Sequence, residues 1–333
     1  MEKIAEDRSN LLKWYHKNKR VLPWRSSKNP YLVWISEVML QQTTVKAVVP
    51  YYERFTTRFP TLESLATAPI EDVLANWAGL GYYSRARNLH KAAQKLHQIV
   101  TQTGQFPQSY TELIELPGFG PYTARAVSSI CFSEKTGVLD GNVIRVLCRK
   151  YGYDFDWWKT ENKNFLQNLS DQLAQTKEVS DLNQALMELG ATVCTPQKTL
   201  CPLCPWVKTC VSVKKKMVQE IPKKKTPPKK EIWFWNFDVY VSQKSQKESI
   251  YLVPNTETPF LSNNWLPPSK AVQKKDKPKK FQFRHAVTKY DIFVQLNVIR
   301  QKSSPSLDGK WVDLKEIKKV NPTSLIDKII KHI

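Results

Sequence analysis

The sequence predicts two domains of different classes: an all-α domain over residues 1–212 and, after a linker at residues 213–231, a smaller α+β domain over residues 232–333. The chain has 333 residues, enough for two domains that each bury their own core. Apolar residues recur at helical spacing before the linker, whereas aromatic and β-branched residues dominate the strand-like stretches after it. The linker itself is rich in lysine and proline, which is typical of a domain boundary.

The helical pattern of the first domain is clearest in LESLATAPIEDVLANWAGL and NLHKAAQKLHQIV, which short Gly or Pro turns separate from their neighbours. In the second domain WFWNFDVYV, IYLV and YDIFVQLNVI are predicted strands. Four apolar residues alternate in the last of them and are expected to face the core: Ile292, Val294, Leu296 and Val298. PTSLIDKIIKHI is predicted to form a final helix.

The net charge of +21 makes a polyanion the expected partner, because binding to phosphates releases condensed counterions. Two lysine runs, residues 214–230 and 270–280, carry +12 of this charge. Taken alone, each run is more typical of a solvated linker or loop than of a binding groove. No apolar run is long enough to span a bilayer, and the N-terminal stretch lacks the apolar core of a secretory signal. We therefore expect an intracellular, cytoplasmic protein with no membrane partner.

Four of the six cysteines are clustered in CTPQKTLCPLCPWVKTC, with gaps of six, two and five residues. They are Cys194, Cys201, Cys204 and Cys210. Disulfides are disfavoured inside cells, so metal ligation explains this density better, and four thiolates suit either zinc or an iron–sulfur cluster. Cys131 and Cys148 lie among apolar neighbours and are expected to be buried as small hydrophobic residues.

The stretch LPGFG separates two predicted helices and contains Gly118 and Gly120. Glycine lets the backbone turn tightly and approach a partner, and the N-terminus of the following helix offers free N–H groups to a phosphate. A glycine turn of this kind can also be a mere connection between helices.

Two carboxylates stand out as candidate catalytic groups. Asp140 directly precedes a helical pattern and is expected to cap that helix, whose positive dipole end should keep the carboxylate ionised and able to stabilise a sugar cation. Glu37 lies in an otherwise apolar helix, and the nearby Ser36, Gln41 and Gln42 are expected to form a polar pocket around it. Apolar walls would raise the pKa of Glu37 and keep it protonated near neutral pH.

These motifs together resemble the helix-hairpin-helix DNA glycosylases. LPGFGPYTARA and VLDGNV are similar to the hairpin, Gly/Pro and aspartate signature of that superfamily, whose members flip a base out of the duplex and cut its N-glycosidic bond. The cysteine spacing resembles the 4Fe-4S loop of the endonuclease III and MutY family. The resemblance covers nearly all of residues 10–212 and implies a six-helix core at about 24–134, with a cluster subdomain from 1–23 and 135–212.

PWRSSKNPYLVWISEVMLQQTT resembles the corresponding segment of the MutY-type adenine glycosylases, and the resemblance implies a role for each of several residues. Glu37 would be the general acid and Asp140 the catalytic aspartate, with Tyr122 and Asn142 near the sugar. Arg25 and Glu188 would line the adenine pocket, and Gln42 and Tyr82 would intrude into the base stack.

Family members that also cleave the DNA strand carry a lysine just after the hairpin glycine, where this chain has Pro121 and Tyr122. The one lysine between Pro117 and Asp140 is Lys135, beyond the following helix. Without an amine at the hairpin, the sequence favours hydrolysis of the glycosidic bond and no efficient lyase step.

In the same family the second domain is similar to Nudix (MutT-like) hydrolases and reads the 8-oxoguanine opposite the adenine. This chain lacks the Nudix metal box, so nucleotide hydrolysis is not expected there. FRHAVTKYDIFV resembles the family's recognition loop, with Val287, Thr288 and Lys289 in place of phenylalanine, serine and histidine. The alternative is an ordinary turn between strands.

The resemblance therefore implies a monomeric adenine DNA glycosylase with a 4Fe-4S cluster, acting on double-stranded DNA with A:8-oxoguanine or A:G mispairs. Two alternatives remain open from the residues alone. One is an endonuclease III-like glycosylase for pyrimidine lesions, and the other is a catalytically silent DNA-binding protein that uses only the hairpin and the lysines.

Overall fold

The structure, a computed structural model, describes residues 2–226, 229–242, 248–256, 258–262, 264–301, 303–321 and 323–333. Residues 227 and 228 of the predicted linker lie outside the described residues. The chain divides into two compact units, a larger one of Met1–Ala68 and Ser84–Lys225 and a smaller one of Pro69–Tyr83 and Thr226–Ile333. The smaller unit thus takes a short segment from the helical part of the chain as well as the C-terminal part.

Residues 2–226 are helical wherever they have regular structure, which confirms the predicted all-α class. The α-helices are α1 Glu2–Asn18, α2 Pro30–Leu40, α3 Val45–Arg58, α4 Leu62–Ala66, α5 Ile70–Trp77, α6 Tyr83–Thr103, α7 Tyr110–Leu113, α8 Pro121–Phe132, α9 Gly141–Tyr151, α10 Thr160–Leu173, α11 Val179–Thr192 and α12 Val211–Lys214. Short 3-10 helices span Pro23–Arg25 and Cys201–Leu203. Within the described ranges, no helix is both long enough and apolar enough to cross a membrane.

Helix α11 is central to the larger unit, because it packs against α1, α8 and α9. Its Leu186 is fully buried with Leu11 of α1, Leu147 of α9 and Ala126 of α8. Removing side chains of this size from water stabilises the fold by roughly 1.5–3 kcal/mol each for the leucines. The helices that carry the candidate site are therefore fixed on one apolar core.

The predicted helix-hairpin-helix is present as α7, a glycine turn and α8. The first helix begins with a capping box in which Ser109 and Glu112 satisfy each other's backbone N–H groups. Gly118 has φ +83°, and a Cβ there would lie 3.1 Å from the Cβ of Asn88, so the turn requires glycine. Gly120 has φ −83° and open space around it, so the turn itself does not require glycine at this position.

The smaller unit contains a mixed sheet. Its strands are β1 Glu231–Ser242, β2 Ser249–Pro254, β3 Trp265–Leu266, β4 Ser269–Lys274, β5 Phe283–Val287, β6 Tyr290–Gln301 and β7 Lys310–Asp313. The order is β3-β2-β1-β6-β5, with β4 paired to β1 and β7 to β2. Strands β1 and β6 are parallel over their full length, and the other pairs are antiparallel. Two further helices follow, α13 Ile317–Val320 and α14 Ser324–Ile330.

This sheet and α14 bury one apolar core, which confirms the predicted α+β class. Ile292, Val294 and Leu296 of β6 pack with Trp235 of β1 and Ile326 of α14. The expectation that Val298 continues the inward series is wrong, because its side chain is 37% exposed. The alternation of apolar residues in β6 continues past the part of the strand that the apolar core covers.

Candidate active site

Glu37 is buried in helix α2, with only 5% of its surface exposed. The Tyr122 hydroxyl of α8 donates a 2.6 Å hydrogen bond to its Oε2. Burial raises the pKa of Glu37 to about 7, the Tyr122 hydrogen bond opposes this rise, and the negative charge of Asp140 adds to it. The prediction of a raised pKa is confirmed.

The polar partners predicted from the local sequence are wrong. Ser36 donates to the carbonyl oxygen of Val33, and Gln41 donates to Thr123. Gln42 is exposed to solvent. The polar partner of Glu37 is instead Tyr122, which comes from another helix, 85 residues further along the chain.

Asp140 caps helix α9, as predicted. Its Oδ1 accepts a 2.8 Å hydrogen bond from the Val143 N–H, and its Oδ2 accepts a 2.9 Å bond from the Asn142 amide. Burial nevertheless raises the pKa of Asp140, with these hydrogen bonds and Arg145 opposing the rise. The prediction that the helix N-terminus keeps this carboxylate ionised left out this opposing effect of burial.

Arg145 fixes the orientation of Asn142 and was not predicted. Its Nη2 donates to the Asn142 Oδ1 at 2.8 Å, so the amide nitrogen of Asn142 must face Asp140. The same guanidinium donates to the carbonyl oxygens of Gly190 and Cys194. The i, i+3 spacing of Asn142 and Arg145 on one helix was a signal that could have found this contact.

The predicted pair Arg25 and Glu188 forms a 2.8 Å ion pair. Arg20, which the sequence interpretation missed, also binds the Glu188 carboxylate with two hydrogen bonds of 2.5 and 2.9 Å. Burial of Glu188 would raise its pKa, but the hydrogen bonds and charges of the two arginines outweigh it and lower the pKa. Arg25 also lowers the pKa of Glu37, which places its charge near that carboxyl group.

Gln42 and Tyr82 each lie on the surface in a left-handed backbone conformation. Gln42, in the larger unit, has φ +57°, and Tyr82, in the smaller unit, has φ +49° with 48% of its surface exposed. Positive φ is uncommon for residues other than glycine and costs of order 1–2 kcal/mol. Strain of this kind is concentrated at functional positions, which is consistent with the predicted contact with DNA bases at both residues.

The four clustered cysteines line one pocket of the larger unit, together with Arg149 and four valines: Val193, Val207, Val213 and Val218. In a tetrahedral zinc site, sulfur atoms lie about 3.8 Å apart, given Zn–S bonds of about 2.3 Å. Within the described part of the chain, no three cysteine sulfurs lie within 4.8 Å of one another. The thiols are thus more widely spaced than zinc requires. Of the remaining cysteines, Cys148 is buried as predicted and Cys131 only partly.

Thr288 and Lys289 form the two-residue turn between β5 and β6, because Val287 pairs with Tyr290. Thr288 has φ +48°. The Lys289 ammonium group forms a 2.5 Å ion pair with Glu231 at the start of β1, which raises the lysine pKa. The turn belongs to the smaller unit, and each of its two residues is held in a defined conformation.

Comparisons with known proteins agree with this fold. The family model of the HhH-GPD superfamily base excision DNA repair proteins matches residues 35–172. The adenine DNA glycosylase of Buchnera aphidicola subsp. Schizaphis graminum (strain Sg) is 33% identical over 96% of both chains. The adenine DNA glycosylase of Mus musculus is 48% identical over 62% of this chain, which corresponds to 42% of the mouse protein.

Solved structures show the same fold. A thermostable thymine-DNA glycosylase is 27% identical and superposes with a TM-score of 0.57 over 64% of this chain and 98% of that one. Endonuclease III in a trapped covalent intermediate with DNA gives a TM-score of 0.53 over 65% of this chain and 98% of that chain, at 24% identity.

The hairpin, the aspartate-capped helix and these matches define a DNA glycosylase of the HhH-GPD superfamily, a base excision repair enzyme. Within that superfamily, the chain belongs to the adenine DNA glycosylase (MutY) family.

Replacing Glu37 with glutamine should stabilise the protein increasingly as the pH rises. Between pH 4.5 and about 7 the folded state retains a proton that the unfolded chain loses. The unfolding free energy of the wild type therefore falls as the pH rises through this range. We expect Glu37→Gln to gain up to about 3 kcal/mol in unfolding free energy relative to wild type between pH 4.5 and 8. Urea unfolding across this range measures the gain. Glu115→Gln, at an exposed glutamate, is the control. A pH-independent difference between Glu37→Gln and wild type would contradict the raised pKa.

Proposed function

We propose that this protein removes adenine from A:8-oxoguanine and A:G mispairs in double-stranded DNA, as a monomer, by hydrolysis of the N-glycosidic bond. The observation that carries the proposal is a pair of interacting carboxyl groups. Glu37 has a pKa of about 7, and the charge of Asp140 contributes to raising that pKa. The family relatives, which are named adenine DNA glycosylases, support adenine as the base.

Glu37 acts as the general acid. Adenine is a poor leaving group unless a ring nitrogen is protonated, and a buried carboxylic acid with a pKa near neutrality can supply that proton. The Tyr122 hydroxyl, 2.6 Å from Oε2, fixes the direction of the carboxyl group. Proton transfer from Glu37 leaves the bonding pair of the broken C1′–N9 bond on neutral adenine.

Asp140 supports the positive charge that develops on the sugar. Its two hydrogen bonds, from the Val143 N–H and the Asn142 amide, both favour the ionised form. The oxocarbenium-like sugar is stabilised by this carboxylate until water adds at C1′, and the Glu37 carboxylate accepts a proton from that water. The products are free adenine and an abasic site.

The position of the lysines supports hydrolysis without an efficient lyase step. Lys135 lies beyond α8 and is exposed. Lys150, on the helix that Asp140 caps, is fully buried in a 2.6 Å ion pair with Asp7. A Schiff base requires an unpaired amine beside C1′, and neither lysine meets that requirement.

The remaining site residues recognise the flipped base and the duplex. Arg25 and Glu188, held together with Arg20, line the adenine pocket, while Gln42 and Tyr82 enter the base stack. Gly118 shapes the hairpin turn, and the open space around Gly120 lets a phosphate approach the N-terminus of α8.

The four clustered cysteines hold a 4Fe-4S cluster that stabilises the cluster subdomain, formed by residues 1–23 and 135–212, against the six-helix core at about 24–134. Their four thiols on one pocket and their wide spacing support an iron–sulfur cluster over zinc.

The Nudix-like C-terminal domain, residues 232–333, recognises the base opposite the adenine. The turn at Thr288 and Lys289 is its reader: the threonine hydroxyl and the lysine ammonium group can donate hydrogen bonds to a carbonyl oxygen of 8-oxoguanine. The strained backbone of Thr288 and the ion pair of Lys289 with Glu231 support a preformed turn.

The acid role of Glu37 predicts that Glu37→Gln abolishes catalysis but not binding. Glutamine keeps the shape of the side chain but has no proton to give, so single-turnover adenine release should fall by about 10²–10⁴-fold. Fluorescence anisotropy should show DNA affinity close to that of wild type. Glu6→Gln, at an exposed glutamate of α1 outside the hairpin, should match wild type in both assays. Wild-type turnover by Glu37→Gln would refute the assignment.

The reader turn predicts a ranking of opposite bases. Single-turnover adenine release should be fastest opposite 8-oxoguanine, slower opposite G and negligible opposite T, with Thr288→Ala narrowing the gap between 8-oxoguanine and G. The rates on A:8-oxoguanine, A:G and A:T duplexes test this directly. Equal rates opposite 8-oxoguanine and G in the wild type would show that this turn does not read the oxidised base.

A further inference from the structure

A run of five lysines with one aspartate, KKDKPKK at residues 274–280, connects β4 to β5 and is called here the lysine loop. We propose that the lysine loop binds the phosphate backbone of duplex DNA beside the turn at Thr288 and Lys289. The proposal rests on the proposed function in one respect only, the assignment of that turn as the reader of the opposite base.

The strand register places the lysine loop and the reader turn at the same end of the sheet. Ile232, near the start of β1, pairs with Lys274 on one side and with Asp291 on the other. Strands in a sheet are about 4.8 Å apart, so the backbones at Lys274 and Asp291 are about 10 Å apart. The turn at Thr288 and Lys289 immediately precedes this part of β6. A DNA duplex with one base in contact with the turn would therefore bring its sugar-phosphate backbone within reach of the Lys274 side chain.

The ammonium groups of the lysine loop are available to a ligand. Lys274, Lys275, Lys279 and Lys280 are exposed, and within the described ranges no hydrogen bond or ion pair engages their side chains. Lys277 differs, since its Nζ lies over the rings of Phe281 and Phe293 at 5.4 and 5.5 Å. This contact anchors the middle of the loop on the sheet and leaves the side chains of the other lysines in solvent.

The acidic groups nearby do not neutralise the loop. Asp276 is the one carboxylate within it. Asp291 is bound by Arg284 at 2.5 Å, and Glu231 is bound by Lys289 at 2.5 Å. This end of the sheet therefore presents an uncompensated positive charge, which phosphates would bind with release of counterions.

A competing explanation is that the lysines only protect an outer strand. Strand β4 pairs with β1 alone among the described strands, and lysines on an edge strand prevent association with other chains. The two explanations differ in one observable. A phosphate contact steepens the salt dependence of DNA binding, whereas edge protection affects only the solubility of the protein.

The test compares two double variants of the full chain that remove the same charge from opposite ends of one sheet. The first is Lys274→Gln with Lys275→Gln. The control is Arg300→Gln with Lys315→Gln. Arg300 pairs with Val241 near the far end of β1, which is about 30 Å from Ile232 at a rise of about 3.3 Å per residue. Lys315 follows β7 at that same end of the sheet. Anisotropy with a short, fully paired duplex between about 50 and 200 mM KCl gives the slope of log K against log salt.

We expect the slope to become shallower by about 1.8 in the loop variant, because each phosphate contact contributes about 0.9, and to change little in the control. Lys274→Arg with Lys275→Arg should keep the wild-type slope. An unchanged slope in the loop variant would leave edge protection as the explanation, and equal changes in both double variants would show a general effect of net charge; either result overturns the proposal. Single-turnover adenine release at saturating enzyme should be unaffected, so a failure here is distinct from a failure of the glycosylase mechanism.

Discussion

Burial of the Glu37 carboxyl group is the constraint on which the rest of the site depends. A carboxyl group removed from water is stable only in its neutral form or with partners that offset the lost hydration. Here the offset is partial, since the Tyr122 hydroxyl stabilises the anion while Asp140 destabilises it, and the pKa settles at about 7. A fully exposed glutamate would be ionised at neutral pH, and a fully isolated one would hold its proton too tightly to release it. Helices α2, α8 and α9 have to be positioned together to produce this intermediate state.

Close packing of the helices provides that positioning. A Cβ on Gly190 of α11 would lie 2.6 Å from the Cβ of Asn142, so α9 and α11 approach as they do only because this residue is glycine. The approach lets Arg145 reach the carbonyl oxygen of Gly190 while its other contact orients the Asn142 amide towards Asp140. The buried ion pair of Asp7 with Lys150 joins α1 to α9 in the same unit. Backbone contacts and side-chain charges thus fix the position of the Asp140 carboxylate, as the packing of α2 and α8 fixes that of Glu37.

Local features of the site could be predicted from the sequence, and features that depend on tertiary contacts could not. Asp140 as a helix cap follows from residues next to it in the chain, and a raised pKa for Glu37 follows from its apolar neighbours. The Tyr122 partner of Glu37 and the Arg20 partner of Glu188 join residues 85 and 168 positions apart, so no local pattern reveals them. The rise in the pKa of Asp140 was missed for the same reason, because burial is a property of the packed helices. In the smaller unit β1, β2 and β6 were predictable from their aromatic and β-branched residues, whereas β3, β4, β5 and β7 were not predicted. The exposure of Val298 and the inclusion of Pro69–Tyr83 depend on what packs against them.

The pH dependence of single-turnover adenine release tests the central claim, that a buried and protonated Glu37 is the acid, most directly. The rate should fall as the pH rises through about 7, the value to which burial raises the pKa of Glu37. This fall in rate is the alkaline limb of the pH profile. In Tyr122→Phe the alkaline limb should move to higher pH, because the hydrogen bond that lowers the pKa of Glu37 is gone. Asp156→Asn, which alters a partly exposed ion pair with Lys159, should leave the limb where it is. A rate that stays constant up to pH 9, or an alkaline limb that moves to lower pH in Tyr122→Phe, would contradict the account.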